Sequence, residues 1–168
     1  TASRLSYFLC NTMPNEALFK SAESGELNTP EGVERVVRTM LTDDRARDAM
    51  NEFLTEWLRF DRLQNTVKDR RTFPQFSPEL VVSMMEETRR LFNELVWKKG
   101  NFMEFYSADY AFLSSDLAAL YGVKPPAKEY ERVKFTPETE RAGILGQATF
   151  LALTSKPAET SPTARGLF

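Results

Sequence analysis

The chain has 168 residues, with 24 acidic and 22 basic side chains and a formal net charge of −2. Its charges form no basic stripe, which argues against a nucleic-acid surface, and no apolar run reaches the roughly 18 residues of a membrane-spanning helix. Histidine is absent and Cys10 is the single cysteine, so a disulfide within the chain is excluded and the commonest general base and metal ligand is missing.

The first part of the chain predicts two short helices, over residues 4–10 and 16–24. Cys10 lies beside the apolar face of the first helix, where we expect a small buried hydrophobic residue rather than a reactive thiol. The side chains predicted to face inward are Leu5, Phe8 and Leu9 in the first helix and Leu18, Phe19 and Ala22 in the second.

Two stronger helices are predicted next. Thr29-Pro30-Glu31 combines a capping residue with a proline in the first turn, which is typical of a helix start. A second helix follows from Ala46 to Phe60, with apolar residues at steps of three and four. The residues from Asp61 to Phe76 lack such periodicity and predict a loop.

This loop contains a basic cluster, Lys68-Asp69-Arg70-Arg71. We interpret the cluster as a solvated loop, with a contact to phosphate or an acidic partner as the alternative. Phe73 and Phe76 are expected to anchor the loop in the core.

The longest predicted helix runs from Ser77 to Gly100, with Ser77 as the N-cap, Pro78 in the first turn and Gly100 as the terminator. Glu86 and Glu87 are predicted to lie on its solvated side, and a metal or acid–base site is the less favoured interpretation of this acidic pair. The broad apolar face, which calls for partners on more than one side, comprises Val81, Met84, Met85, Thr88, Leu91, Phe92, Leu95 and Val96.

The remaining elements are shorter. Ser114 or Ser115 is expected to cap a helix that Gly122 ends, and alternation over Tyr130–Phe135 predicts the one strand of the chain. A further helix is predicted over residues 141–153, in which Gly143 and Gly146 would let another helix or a cofactor come close. The residues from Thr154 onward look irregular. Together these elements predict an all-α fold: an irregular multi-helix bundle around a long central helix, with an irregular C-terminal tail.

Three residues are candidate ligand contacts: Asp109, Tyr110 and Arg141. Asp109 lies between two tyrosines in a predicted bend, where it is either a buried, hydrogen-bonded bend residue or a ligand contact. Arg141 precedes Gly143-x-x-Gly146, which lacks the full glycine spacing of a phosphate loop. A substrate-binding role would use a pocket near these three residues.

Three segments together carry a family resemblance. The first combines Ala2-Ser3-Arg4-Leu5-Ser6-Tyr7-Phe8-Leu9 with Asn11-x-Met13-Pro14-Asn15. The second combines Asp109-Tyr110-x-Phe112-Leu113 with Leu117-x-x-x-Tyr121-Gly122. The third combines Arg141-x-Gly143-x-Leu145-Gly146-Gln147-Ala148, Leu153-Thr154-Ser155 and Thr160-Ser161-Pro162-x-x-Arg165-Gly166. In this order they resemble the DUF1592 domain running into the start of DUF1588, found in large planctomycete proteins with cytochrome-c-like segments.

The resemblance implies residues 1–140 as a helical DUF1592-like domain and residues 141–168 as the start of a DUF1588-like segment that packs on the same core. It implies a longer, extracytoplasmic parent protein with a c-type haem, attached through a Cys-x-x-Cys-His motif that these residues do not contain. We therefore expect no cofactor in residues 1–168 and a haem-bearing domain of the same parent chain as the partner. The leading hypothesis is a non-catalytic docking scaffold; a substrate-binding part of an oxidoreductase and a protein-interaction module are the alternatives.

Overall fold

A computed structural model describes residues 1–99 and 101–167 of the chain. The predicted helix terminator Gly100 lies outside the described residues. The chain divides into two compact units, Thr1–Leu58 and Arg59–Phe168. Most of the described residues are helical, which confirms the predicted fold class, and none of their helices is long and apolar enough to cross a membrane.

The first unit contains four α-helices, in which α1 packs mainly against α4 and also touches α2 and α3. The predicted cap at Thr29 is confirmed, since Thr29 Oγ1 accepts a hydrogen bond from the backbone N–H of Gly32 at 3.1 Å. Asn15, which was not predicted as a cap, accepts one through Oδ1 from the backbone N–H of Leu18 at 2.9 Å. The helices are α1 (Ala2–Cys10), α2 (Glu16–Glu23), α3 (Pro30–Met40) and α4 (Asp44–Leu58), with a 3₁₀ turn at Glu26–Asn28.

The inward faces of α1 and α2 differ from the prediction. Ser6 and Cys10 are the buried residues of α1. They lie four residues apart and therefore share one face of the helix, whereas Phe8, two residues from each, points away from that face and is 85% exposed. In α2 only Leu18 is buried, and Phe19 and Ala22 face solvent. Burial raises the pKa of the Cys10 thiol, which fits the predicted inert packing role.

The second unit is organised around α5, which packs against β1, α7, α8 and the 3₁₀ segment Phe60–Asn65. Its core includes Leu63, Leu80, Met84, Leu113, Leu117 and Ala148. The elements are α5 (Pro78–Glu94), a π-helical extension (Leu95–Lys99), α6 (Glu104–Ser107), β1 (Tyr110–Leu113), α7 (Ser115–Tyr121), β2 (Glu131–Lys134), α8 (Ala148–Leu153) and α9 (Pro162–Leu167).

The start of α5 follows the sequence closely. Ser77 Oγ accepts a hydrogen bond from the backbone N–H of Leu80 at 3.2 Å, and Pro78 lies in the first turn. The α-helix is shorter than predicted because regular hydrogen bonding ends at Glu94, where the π-helical extension begins. At 17 residues it is only modestly longer than the 15 residues of α4.

The predicted strand has a partner that the sequence pattern did not reveal. β2 pairs with β1 in antiparallel orientation, from Tyr110 opposite Lys134 to Leu113 opposite Glu131. The sequence of β1 is a run of four apolar residues, which periodicity alone does not separate from a helix or a bend.

The segment before α8 is a loop and not the predicted helix. A 3₁₀ turn covers Ile144–Gly146, and α8 begins only at Ala148. Gly143 has a φ of +51°, and its N–H donates to the carbonyl oxygen of Ala108 at 2.9 Å. The predicted close approach at Gly143 is confirmed, because the backbone of Phe105 and Tyr106 in the short helix α6 lies against it. The tail, predicted to be irregular, contains the short helix α9.

We expect Gly143→Ala to destabilise the second unit by about 2–3 kcal/mol, because a left-handed φ is strained for alanine. The added Cβ would also lie 2.3 Å from the carbonyl carbon of Tyr106. Gly146→Ala is the matched control, since its Cβ would meet nothing closer than 3.5 Å. Urea unfolding followed by Trp97 fluorescence in a Trp57→Phe background measures the second unit alone; equal midpoints for the two variants would contradict this account.

Candidate functional site

A buried polar cluster lies between α5, α7 and α8. Every member is less than 9% exposed, although each carries a side chain that can form hydrogen bonds. The members are Glu87, Thr88, Tyr121, Gln147 and Thr149.

Glu87 is the only acidic side chain of this cluster, and none of its surface is exposed. Tyr121 Oη donates a hydrogen bond to Glu87 Oε2 at 2.8 Å and accepts one from the backbone N–H of Ala148 at 2.8 Å. Among the described residues, Glu87 Oε1 has no hydrogen-bond partner. The tyrosine therefore connects the side chain of α5 to the first turn of α8.

Burial raises the pKa of Glu87 to about 8, against the opposing effects of the Tyr121 hydrogen bond and the nearby Arg141 charge. At neutral pH the side chain is mainly a carboxylic acid. The prediction that Glu87 belongs to a solvated face is wrong. It lies at steps of three and four from Leu80, Met84 and Leu91, in the middle of the buried stripe.

The other half of the cluster joins α8 to α5. Thr88 Oγ1 lies 2.8 Å from Gln147 Oε1 and 3.0 Å from Thr149 Oγ1, and Thr149 Oγ1 donates to the carbonyl oxygen of Met84 at 2.6 Å. Gln147 and Thr149 were not identified from sequence, because nothing local to them marks a partner 59 to 61 residues away.

The basic cluster at residues 68–71 was predicted to be solvated, and for Lys68 this prediction is wrong, because the residue is only 9% exposed. Its ammonium Nζ donates to the carbonyl oxygens of Ala152 at 2.9 Å, Ser155 at 3.0 Å and Lys156 at 3.2 Å, and to Ser155 Oγ at 2.7 Å. Burial lowers the pKa of Lys68. The side chain binds the C-terminal end of α8, where carbonyl groups lack helical partners and carry partial negative charge.

A pocket of about 320 Å³ opens beside α8, and we call it the α8 pocket. Its charged lining residues are Lys68, Arg141, Arg165 and Glu159. Phe73, predicted to anchor the loop in the core, is instead 36% exposed at this pocket, whereas Phe76 packs against the core as expected. The apolar lining includes Phe73, Phe76, Leu80, Met84, Leu151 and Ala152.

Arg141, one of the three candidate ligand contacts, lines the α8 pocket. Its guanidinium carbon lies 3.9 Å from the centroid of the Tyr121 ring, and Nη1 donates to the carbonyl oxygen of Gly146 at 2.6 Å. This stacking holds the arginine between the buried polar cluster and the pocket.

Asp109 and Tyr110 lie elsewhere and do not line the α8 pocket. The expectation of a buried Asp109 is wrong, because its side chain is 63% exposed and pairs with Lys134 Nζ at 3.3 Å. Tyr110 is buried, with the guanidinium of Arg132 at 3.8 Å from its ring centroid. The structure thus separates Arg141 from the other two candidates, and a ligand contact by any of the three stays a prediction.

We expect Lys68→Met to destabilise the second unit by about 2–3 kcal/mol, because three carbonyl groups at the end of α8 lose a charged donor. Arg71→Met is the control, since it removes an exposed cation of the same loop. Urea unfolding in the Trp57→Phe background measures both variants, and a change below about 0.5 kcal/mol in Lys68→Met would show that these hydrogen bonds contribute little.

We expect wild-type stability to fall relative to Glu87→Gln as pH rises from about 4.5 to about 8. Over this range the folded state retains the Glu87 proton and the unfolded state loses it, since the folded pKa of about 8 exceeds the ordinary value of 4.5. The limiting slope is about 1.4 kcal/mol per pH unit. Below about 4.5 the difference is constant, because both states hold the proton.

The measurement is the free energy of unfolding across pH 4 to 9 for wild type, Glu87→Gln and the neighbouring control Glu86→Gln. Glu86 is partly exposed and pairs with Arg89 and Arg90, and because its variant retains the buried Glu87, it should keep the wild-type slope. Parallel curves for wild type and Glu87→Gln would contradict a buried carboxylic acid.

Comparisons with curated proteins and with solved structures each give no significant match. A family model described as PSD4, protein of unknown function (DUF1592), matches residues 1–123. This match covers most of the chain and includes both the first unit and the central helix α5. The chain therefore belongs to the PSD4 (DUF1592) family.

Proposed function

We propose that the chain is a non-catalytic helical docking domain of a larger extracytoplasmic protein that carries a c-type haem. Its partner would be the haem-bearing domain of the same parent chain. Residues 141–168 would form the start of a DUF1588-like segment in a parent of the planctomycete type. Support comes from the order of the three family-like segments along the sequence and from membership in the DUF1592 family.

The observation that carries the docking role is a set of exposed aromatic side chains on α1 and α4 of the first unit. Tyr7 and Phe8 of α1 are 55% and 85% exposed, and Phe53 and Trp57 of α4 are 53% and 43% exposed. The rings of Phe53 and Trp57 stack with centroids 5.8 Å apart. Large exposed aromatics are enriched in protein–protein interfaces, where they supply contact area at low entropic cost.

The two helices hold these side chains on one rigid support. α1 packs against α4, and Asn11 Nδ2, just after α1, donates to Glu52 Oε2 of α4 at 2.8 Å. A rigid pair of helices is suited to docking because little conformational entropy is lost when a partner binds.

A second candidate is the substrate-binding part of an oxidoreductase. The position of Arg141 in the wall of the largely apolar α8 pocket favours it, because ligand sites are concave and mostly apolar with a few polar groups.

The docking role predicts a first, simple result: the intact parent polypeptide contains a Cys-x-x-Cys-His motif. In that parent, Phe8→Ser combined with Phe53→Ser should shift the reduction potential of the haem, because loss of two interface rings changes how the haem domain is covered. Protein-film voltammetry and the haem absorption spectrum measure the effect.

The matched control is Val82→Ser, which removes an apolar side chain that is 58% exposed on α5, outside the two docking helices. It should leave the reduction potential unchanged. A parent without the haem motif would exclude the proposal, and so would an unchanged spectrum and potential after deletion of residues 1–140.

A further inference from the structure

We propose that the α8 pocket binds a small apolar carboxylate, with the carboxylate held by the guanidinium groups of Arg141 and Arg165. The proposal does not depend on the docking role. It rests on the second candidate function, the substrate-binding part of an oxidoreductase, and names the class of ligand that the α8 pocket would bind.

The walls of the pocket require an apolar ligand body. Phe76 from the loop before α5, Met84 from α5 and Leu151 from α8 approach it from three elements, together with the exposed ring of Phe73. A bare inorganic anion would leave these side chains in contact with water, whereas an aliphatic or aromatic body would cover them.

The charge around the pocket requires a negative group on that body. Lys68, Arg141 and Arg165 are cations, and Glu159 is the one acid among the described lining residues. Glu159 is already paired, since Lys156 Nζ lies 2.6 Å from its Oε1. The pocket therefore keeps a net positive charge that favours an anion.

The two arginines keep donors for a ligand, and Lys68 does not. Four acceptors lie within 3.2 Å of Lys68 Nζ, which has only three protons, so this residue contributes charge alone. Arg141 uses Nη1 for Gly146, and Arg165 uses Nη2 for the hydroxyl of Thr160. Arg165 Nε is buried and has no hydrogen-bond partner within residues 1–99 and 101–167.

These free N–H groups match a carboxylate because a guanidinium donates from a planar fork to two oxygens.

The volume of the α8 pocket limits the size of the ligand. At the roughly 30 Å³ that a water molecule occupies in the liquid, a pocket of this volume has room for about ten non-hydrogen atoms. Octanoate, with about ten such atoms and a single negative charge, is the simplest probe of this class.

The test titrates the whole chain with octanoate, octan-1-ol and inorganic phosphate by isothermal calorimetry. Octanoate should bind at least about tenfold more tightly than octan-1-ol, which has the same tail without the charge. It should also bind more tightly than phosphate, which has charge without the apolar body. Equal affinity for octanoate and octan-1-ol, or no binding of octanoate up to millimolar concentration, would overturn the proposal.

The decisive variant is Arg165→Gln, because this residue lies on the short outer helix α9 and its change should leave folding intact. We expect it to weaken octanoate binding about tenfold, and Arg141→Gln to do the same if the loss of stacking on Tyr121 is tolerated. Arg71→Gln removes an exposed cation outside the pocket and should keep the wild-type affinity within about twofold. Wild-type affinity in Arg165→Gln, or an equal loss in Arg71→Gln, would exclude the assigned contacts; neither result bears on the docking role of the first unit.

Discussion

The second unit depends on one hydrogen-bonded chain, from Glu87 of α5 through the hydroxyl of Tyr121 to the first N–H of α8 at Ala148. A carboxyl group without solvent contact is costly when charged, and burial therefore keeps Glu87 mainly protonated near neutral pH. Tyr121 can donate to this acid and still accept from α8, because a phenol is both donor and acceptor. Gln147, the N-cap of α8, makes no side-chain cap of its own, so the tyrosine supplies the missing acceptor from a distant part of the chain.

At the C-terminal end of α8, a side chain from a distant part of the chain likewise binds backbone groups that lack helical partners. Lys68 donates to the carbonyl oxygens of Ala152, Ser155 and Lys156, and its positive charge lies at the negative end of the helix dipole. A helix of six residues is far below the length at which isolated helices are stable. α8 therefore exists because side chains from α7 and from the loop before α5 complete its ends, and because Thr149 bonds to the backbone of α5. These same contacts position one wall of the α8 pocket.

Features that depend on neighbours in sequence were predictable, and features that depend on distant partners were not. The caps at Thr29, Ser77 and Ser114 follow from local chemistry, since each side chain bonds a backbone N–H three residues later. The burial of Lys68 follows from acceptors 84 to 88 residues away, which no local pattern contains. Glu87 is an intermediate case: its spacing placed it within the buried stripe, but its charge pointed to the solvated side, and the spacing was the better guide.

If the α8 pocket binds a carboxylate as we propose, the charged groups around it have distinct roles. The sequence has no histidine, so a general base would have to come from a carboxylate, a lysine or a tyrosine. Of the groups near the pocket, Glu159 is held by Lys156, and the ammonium of Lys68 is held by α8. Burial and the neighbouring Glu87 raise the pKa of Tyr121 well above its ordinary value, which keeps its proton in place. Glu159, Lys68 and Tyr121 thus each have a partner within the chain, while the two guanidinium groups, which cannot act as bases, would donate to the proposed ligand.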